Sequence, residues 1–142
     1  MPRLPPVRFL ESCEYGGEQG PLWGRVSNLD TIPMYWHGTK EFRVTGRRGE
    51  KTTADVVFAF GGKAKAEVFV DEKIRTLTMK YVEGPFVGRQ TVAVKEETVE
   101  AEWDVTFKGA FKLLGPWNTS HFRSGTRNAL KRLCTGSSDA RS

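Results

Sequence analysis

The chain has 142 residues, a length that suits one domain and can bury a core without disulfides or metal ions. Apolar residues make up 38% and charged residues 27%, and acidic and basic side chains interleave to leave a net charge of +5. The two cysteines form no CxxC or Cys/His cluster, which argues against a disulfide framework or a zinc site, and no run of about 20 apolar residues could span a membrane.

The chain opens with a proline-rich lead-in at residues 1–6, and a first strand is predicted at residues 7–15. One parity of this strand is mostly apolar, which is typical of a half-buried strand. Its apolar positions are Val7, Phe9, Cys13 and Tyr15. Glu11 shares that parity and is therefore predicted to point inward. Gly16 and Gly17 end the strand.

Two short helices are predicted next. Pro21 suits a first helical turn, because its missing N–H would have no partner there, and it indicates a helix at residues 21–29. Asp30 is the candidate N-cap of a second helical turn, and Gly38 is its candidate end. The side chains that these helices are expected to bury are Leu22, Trp23, Val26, Leu29, Ile32, Tyr35 and Trp36.

From residue 40 to residue 109 the hydrophobic period is two, which predicts six more strands. They are expected at residues 41–48, 52–60, 63–71, 74–83, 86–96 and 98–108. The breaks between them are too short for a parallel crossover, which needs about a dozen residues, so an antiparallel meander is predicted, with the first strand added at an edge. Trp103 shares the apolar parity of the last strand and is predicted to be buried against the final helix.

After the Gly-Pro pair at residues 115–116 the period becomes helical again. The stripe predicted to face inward contains Phe122, Gly125, Ala129, Leu130 and Leu133. Gly125 is expected to mark a close approach to the sheet, because a glycine inside a helix otherwise costs about 1 kcal/mol relative to alanine. Arg123, Arg127 and Lys131 form a basic face, which is either a solvated surface or a docking surface for nucleic acid or anionic lipid.

This order of elements resembles the helix-grip fold of the START/SRPBCC superfamily, a polyketide cyclase-like group. The opening helices of that fold resemble LWGRVSNLDTIPMYWHG at residues 22–38. A Gly-Pro turn before its sixth strand resembles GPFVG at residues 84–88, and its final helix resembles FRSGTRNALKRL at residues 122–133. By length and spacing the chain looks most similar to small members related to the G component of carbon monoxide dehydrogenase.

The resemblance implies an α+β architecture. A curved, seven-stranded antiparallel sheet would surround a long C-terminal helix, with two short helices after the first strand. One domain is expected at residues 7–134, followed by a flexible tail at residues 135–142. The superfamily shares no catalytic motif, so the resemblance implies a cavity for a hydrophobic ligand and no active site.

The inward parity and the helix stripe nominate the residues that would line such a cavity. The candidate ligand-binding residues are Trp36, Phe58, Val68, Leu77, Met79, Tyr81, Gln90, Val92, Trp103, Val105, His121 and Phe122. Apolar concavities with a few polar groups are typical ligand sites. The alternative is that these side chains simply fill the core.

Two polar residues interrupt the inward pattern. Glu11 is a weak catalytic candidate: a buried carboxylate has a raised pKa and can accept a proton or orient the polar end of a ligand. The alternative is a strand-end residue that reaches water. Gln90 can both donate and accept, and so can fix a ligand carbonyl. The sequence has no GxSxG, GxGxxG or Walker motif, and the two histidines are too isolated for a metal-ligand motif.

The leading hypothesis from the sequence is binding or transport of a lipid-like or polyketide-like molecule, with no cofactor. Two alternatives stay open: a cyclase or dehydratase acting on a hydrophobic substrate, and a protein-interaction or assembly factor on the same fold. A protein partner and any oligomeric state also stay open, whereas a specific nucleic-acid partner is not expected. Because residues 1–15 lack the apolar run of a signal peptide, we expect a soluble cytoplasmic protein.

Overall fold

The computed structural model describes residues 6–109 and 115–137. The strands are β1 Val7–Glu14, β2 Thr39–Arg48, β3 Lys51–Phe58, β4 Lys63–Asp71, β5 Thr76–Glu83, β6 Phe86–Val94 and β7 Thr98–Phe107. The helices are α1 Gln19–Ser27, a 3-10 turn at Leu29–Thr31, α2 Ile32–Tyr35 and α3 Gly115–Thr135. Most of the predicted lead-in, residues 1–5, and the end of the predicted tail, residues 138–142, lie outside the described residues, so the domain limits stay a prediction.

The strands form one antiparallel sheet in the order β1-β7-β6-β5-β4-β3-β2. Consecutive strands from β2 to β7 are neighbours, and β1 pairs with β7, so the predicted meander with an added edge strand is confirmed. β7 shows the alternation most clearly, since every second residue from Val99 to Phe107 is buried. One face of the sheet therefore meets a core and the other meets water, as is common in antiparallel sheets.

At the opposite edge of the sheet, β2 pairs with β3 less regularly. The register shifts between Thr39 and Glu41 and again between Val44 and Gly46. Such bulges place an extra residue on one strand and interrupt the ladder of backbone hydrogen bonds. β2 is therefore a bent edge strand.

Helix α3 packs against β1 and β7 and contacts both short helices. Three members of its predicted inward stripe, Ala129, Leu130 and Leu133, are fully buried. Its C-terminal end is fixed by a side chain from α1, because Arg25 Nε donates to the carbonyl of Leu133 at 2.7 Å. Carbonyls at a helix C-terminus lack partners within the helix, so this contact both satisfies one and attaches α1 to α3.

Several boundaries differ from the sequence prediction for local reasons. Asn28 caps the 3-10 turn in place of Asp30, since Asn28 Oδ1 accepts from the Asp30 amide at 3.1 Å. β5 begins at Thr76, two residues later than predicted. Asp71 Oδ1 accepts from the amides of Lys73 and Ile74 at 3.0 and 3.3 Å, which holds residues 71–74 in a turn.

The predicted Gly-Pro turn separates β5 from β6, and glycines flank the start of β6. Gly84 and Gly88 have φ angles of 140° and 136°, a region that other residues rarely adopt. Gly88 lies opposite Val105 in β7. A Cβ atom at position 88 would overlap the carbonyl oxygen of Asp104 and lie 2.7 Å from the Cα of Val105. Position 88 therefore requires glycine on both conformational and steric grounds.

Candidate ligand pocket

A pocket opens between the concave face of the sheet, the segment after α2, and the first half of α3. Its cavity volume is about 70 Å³. The lining residues are Ile32, Trp36, His37, Gly38, Thr39, Phe58, Phe60, Met79, Phe86, Gln90, Trp103, His121, Phe122, Gly125 and Thr126. Most of these surfaces are apolar, and no Lys, Arg, Asp or Glu is among the described lining residues.

A row of three residues crosses adjacent strands in the pocket wall. Strand register places Met79 of β5 opposite Gln90 of β6, and Gln90 opposite Trp103 of β7. Directly opposed side chains on one face of an antiparallel pair lie about 4.5–5.5 Å apart at Cβ. Regular pairing therefore brings a thioether, an amide and an indole together from three separate strands.

Aromatic rings surround Trp103 in this wall. Its ring stacks on Tyr81 with an interplanar angle of 6° and meets Phe122 of α3 edge-on at a centroid distance of 4.9 Å. Trp103 Nε1 donates to Thr126 Oγ1 at 2.9 Å, so its polar atom is also satisfied by α3. The prediction that Trp103 is buried against the final helix is confirmed, with 7% of the residue exposed.

Gln90 contributes an amide to the wall row, and 2% of the residue is exposed. The Tyr81 hydroxyl lies 3.5 Å from Gln90 Oε1 and is oriented to donate to it. Gln90 Nε2 is buried and has no hydrogen-bond partner among the described residues. Burial raises the pKa of Tyr81 well above its ordinary value of 10.0, so its phenol stays protonated and able to donate.

Seven of the predicted ligand-binding residues line this pocket. They are Trp36, Phe58, Met79, Gln90, Trp103, His121 and Phe122. The other five are buried in the core beside it and are not among its lining residues: Val68, Leu77, Tyr81, Val92 and Val105. Tyr81 touches the site indirectly, through its ring contact with Trp103 and its hydrogen bond to Gln90.

Gly125 lies beside the pocket, and the expected close approach to the sheet is wrong. No atom lies within 4 Å of the place that a Cβ at this position would take. The neighbouring Thr126 is the residue that meets the sheet, through its bond to Trp103. No pattern in the sequence indicated that Thr126, and not Gly125, would contact the sheet. Phe86 has the inward parity of its strand but was not among the predicted pocket residues; it lines the pocket and packs edge-on against Tyr81 and Phe122.

The weak catalytic candidate Glu11 lies outside the pocket lining. Its carboxylate accepts from Arg123 Nη2 at 2.9 Å and from Arg127 Nε at 2.7 Å, which attaches β1 to α3. The expected rise of its pKa is wrong. Burial acts to raise the pKa of Glu11, but the hydrogen bonds and charges of Arg127 and Arg123 outweigh it and lower the pKa. A carboxylate held ionised between two guanidinium groups is a poor proton acceptor, and two of the three basic-face residues are engaged by it.

These ion pairs predict a stability that depends on pH. Because the pKa of Glu11 is lowered in the folded state, its ion pairs contribute fully to the free energy of unfolding above pH 4.5, the ordinary pKa of this carboxyl group. The contribution is lost as the pH falls through the folded pKa. Urea unfolding of the unmodified protein and of Glu11→Gln should therefore differ most near neutral pH and converge in acid. An equal difference at about pH 3 and about pH 7 would contradict this assignment.

Neither cysteine lines this pocket. Cys13 and Cys134 are free, lie on β1 and α3, and pack against the core outside the pocket lining. Burial, together with a hydrogen bond that its thiol donates to the Cys13 side chain, raises the pKa of Cys134 to about 12, so its thiol stays protonated at neutral pH. Within residues 6–109 and 115–137, no three His, Cys, Asp or Glu side chains group to hold a metal.

Solved structures with similar architecture match almost the whole chain. An aromatase/cyclase from Streptomyces sp. R1128 has a TM-score of 0.74 at 7% identity, over 91% of this chain and 92% of that one. A START superfamily protein from Mycobacterium smegmatis has a TM-score of 0.63 at 14% identity, over 89% and 98%. A point mutant of norcoclaurine synthase from Thalictrum has a TM-score of 0.63 at 17% identity, over 94% and 98%.

The chain has the helix-grip fold. The resemblance to the START/SRPBCC superfamily is confirmed at the level of fold, including the seven-stranded sheet and the long C-terminal helix. No protein-family model matches the sequence, and no curated protein matches it. The narrower similarity to the G component of carbon monoxide dehydrogenase stays a prediction. No helix in the described part of this helix-grip chain is long and apolar enough to cross a bilayer.

Proposed function

We propose that this protein binds a small hydrophobic molecule in the pocket between the sheet and α3. The observation that carries the proposal is an apolar wall that contains a buried donor, Gln90 Nε2, without a partner among the described residues. A concave apolar surface with a few polar groups is the usual form of a small-molecule site. The similar START protein and aromatase/cyclase support the same class of ligand by analogy of fold.

The uptake of a fluorescent apolar probe tests this function. Burying apolar surface contributes about 25 cal/mol per Å², so the uncharged fluorescent probe N-phenyl-1-naphthylamine should bind the folded protein with a Kd in roughly the micromolar range. A folded protein that takes up no probe, with near-ultraviolet circular dichroism showing intact packing, would contradict the proposal. That result would favour the protein-interaction alternative.

Gly125→Leu should remove probe binding without lowering stability. The new side chain begins in open space beside the pocket, and leucine is about 0.8 kcal/mol better than glycine in a helix. Gly24→Leu is the matched control, because Gly24 lies in α1, outside the pocket lining, and its Cβ would also meet no atom within 4 Å. Equal probe binding by both variants would place the probe outside this pocket.

A cyclase-type reaction is the second candidate function, and the two histidines of the lining favour it. His37 and His121 come from the segment after α2 and from α3, and both border the same pocket. A histidine beside a bound substrate can accept and return a proton during ring closure or dehydration. Turnover of a bound polyketide-like substrate that is lost in His121→Phe, with probe binding retained, would support this candidate.

A further inference from the structure

We propose that the pocket selects uncharged ring compounds that carry a carbonyl oxygen, and that Gln90 Nε2 donates the hydrogen bond that recognises this oxygen. This inference rests on the proposed binding function and specifies the ligand class. A donor buried without an acceptor costs about 1–3 kcal/mol. A ligand that supplies the acceptor recovers that free energy, whereas a purely hydrocarbon ligand leaves it unrecovered.

The orientation of the Gln90 amide follows from Tyr81. The phenol of Tyr81 is buried, stays protonated, and has Gln90 Oε1 within reach at 3.5 Å and the weaker acceptor Met79 Sδ at 3.9 Å. Turning the amide would leave the phenol with only the sulfur as an acceptor. Tyr81 therefore acts as a positioning residue that engages Oε1 and leaves Nε2 as the amide atom without a partner among the described residues.

The indole of Trp103 and the hydroxyl of Thr126 are already engaged as donors. Trp103 Nε1 donates to Thr126 Oγ1, and the Thr126 hydroxyl donates in turn to the carbonyl of Phe122 at 2.6 Å. In the wall row of Met79, Gln90 and Trp103, the donor that has no partner among the described residues is therefore Gln90 Nε2. Within this wall row, recognition of a ligand oxygen depends on this one amide.

The charge of the lining argues for a neutral acceptor. The described lining residues include no lysine or arginine, so a ligand carboxylate would lose its hydration without gaining a cationic partner there. A ketone, aldehyde, ester or amide carbonyl accepts one hydrogen bond at a much smaller desolvation cost. The surrounding rings, Trp103 and Phe86 among them, provide faces and edges for an aromatic ligand.

Two ligands of nearly the same shape test the inference. Acetophenone and 2-phenylpropene differ in having C=O or C=CH₂ at one position, and each can compete with the uncharged probe N-phenyl-1-naphthylamine in a fluorescence titration. Gln90→Met keeps the length of the side chain and removes the amide. We expect the preference for acetophenone over 2-phenylpropene to fall about tenfold in Gln90→Met, the worth of one buried hydrogen bond. Tyr81→Phe should reduce the same preference by less, about threefold.

Comparing ratios of affinity separates this inference from the proposed function. If both ligands bind, and the ratio of their affinities is the same in the unmodified protein and in Gln90→Met, the role of Gln90 is overturned and the hydrophobic site stands. If neither ligand displaces the probe, the role of Gln90 and the hydrophobic site are both overturned. Should Gln90→Met fail to fold, the carbonyl stretch of acetophenone bound to the unmodified protein decides the question. A shift to lower frequency is expected from a hydrogen bond, and an unshifted band would overturn the inference.

Discussion

Replacing Trp103 with alanine should lower the free energy of unfolding by about 3–5 kcal/mol, the usual cost of deleting a large buried aromatic side chain. The ring of Trp103 contacts three separate parts of the molecule. Its ring contacts Trp36 near the pocket, Tyr81 within the sheet and Phe122 in α3. The truncation would leave a cavity at the point where the sheet and the helix meet, and would leave Thr126 without its donor.

Urea unfolding followed by circular dichroism measures this effect, and Trp103→Phe is the matched control. Phenylalanine keeps an aromatic face for Tyr81 and Phe122 but loses the hydrogen bond to Thr126. It should therefore cost clearly less than alanine, about 1–2 kcal/mol. A loss below about 1 kcal/mol for Trp103→Ala would show that the ring is not part of the core.

Gly88→Ala should lower the free energy of unfolding by about 3 kcal/mol or more, or prevent folding, although it adds a single methyl group. Two costs combine at this position. A φ of 136° is strained for alanine, and the methyl group would overlap the carbonyl oxygen of Asp104 on β7. Backbone of a central strand cannot move aside as the end of a long side chain can, so β6 and β7 would have to separate locally.

Gly24→Ala provides the control for the glycine substitution. Gly24 lies within α1, and an added Cβ would meet no atom within 4 Å. The same chemical change should there stabilise the protein by up to about 1 kcal/mol, because alanine favours the helix more than glycine does. If both variants had the same thermal unfolding temperature, the close contact between Gly88 and Asp104 would be ruled out.

Alternation in the sequence predicted the sheet well, because the period of two depends only on which side chains face the core. The parity of Met79, Gln90 and Trp103 was correct, and strand pairing then placed them in one row. The same parity could not separate the pocket from the core. Val92 and Val105 have the same inward parity as Gln90 and are similarly buried, but of these three only Gln90 lines the pocket.

The alternation could not predict where the helices contact the sheet. The outline of the pocket depends on contacts between distant residues, such as Thr126 with Trp103 and Arg132 with the carbonyl of Tyr35. The partners of Glu11 illustrate the same limit. Arg123 lies 112 residues further along the chain, so a local pattern could show that Glu11 points inward but not that its charge is compensated. The sign of its pKa shift depended on that contact.

The irregular pairing of β2 bears on how copies of this chain meet. A straight edge strand offers a continuous row of amides and carbonyls, onto which a strand of another molecule can add. The two register shifts of β2 break that row, and arginines at positions 43, 47 and 48 keep the strand strongly hydrated. An incoming strand would find only short stretches with matching geometry. The bends of β2 therefore protect this edge of the sheet against aggregation, and the sheet ends there with seven strands.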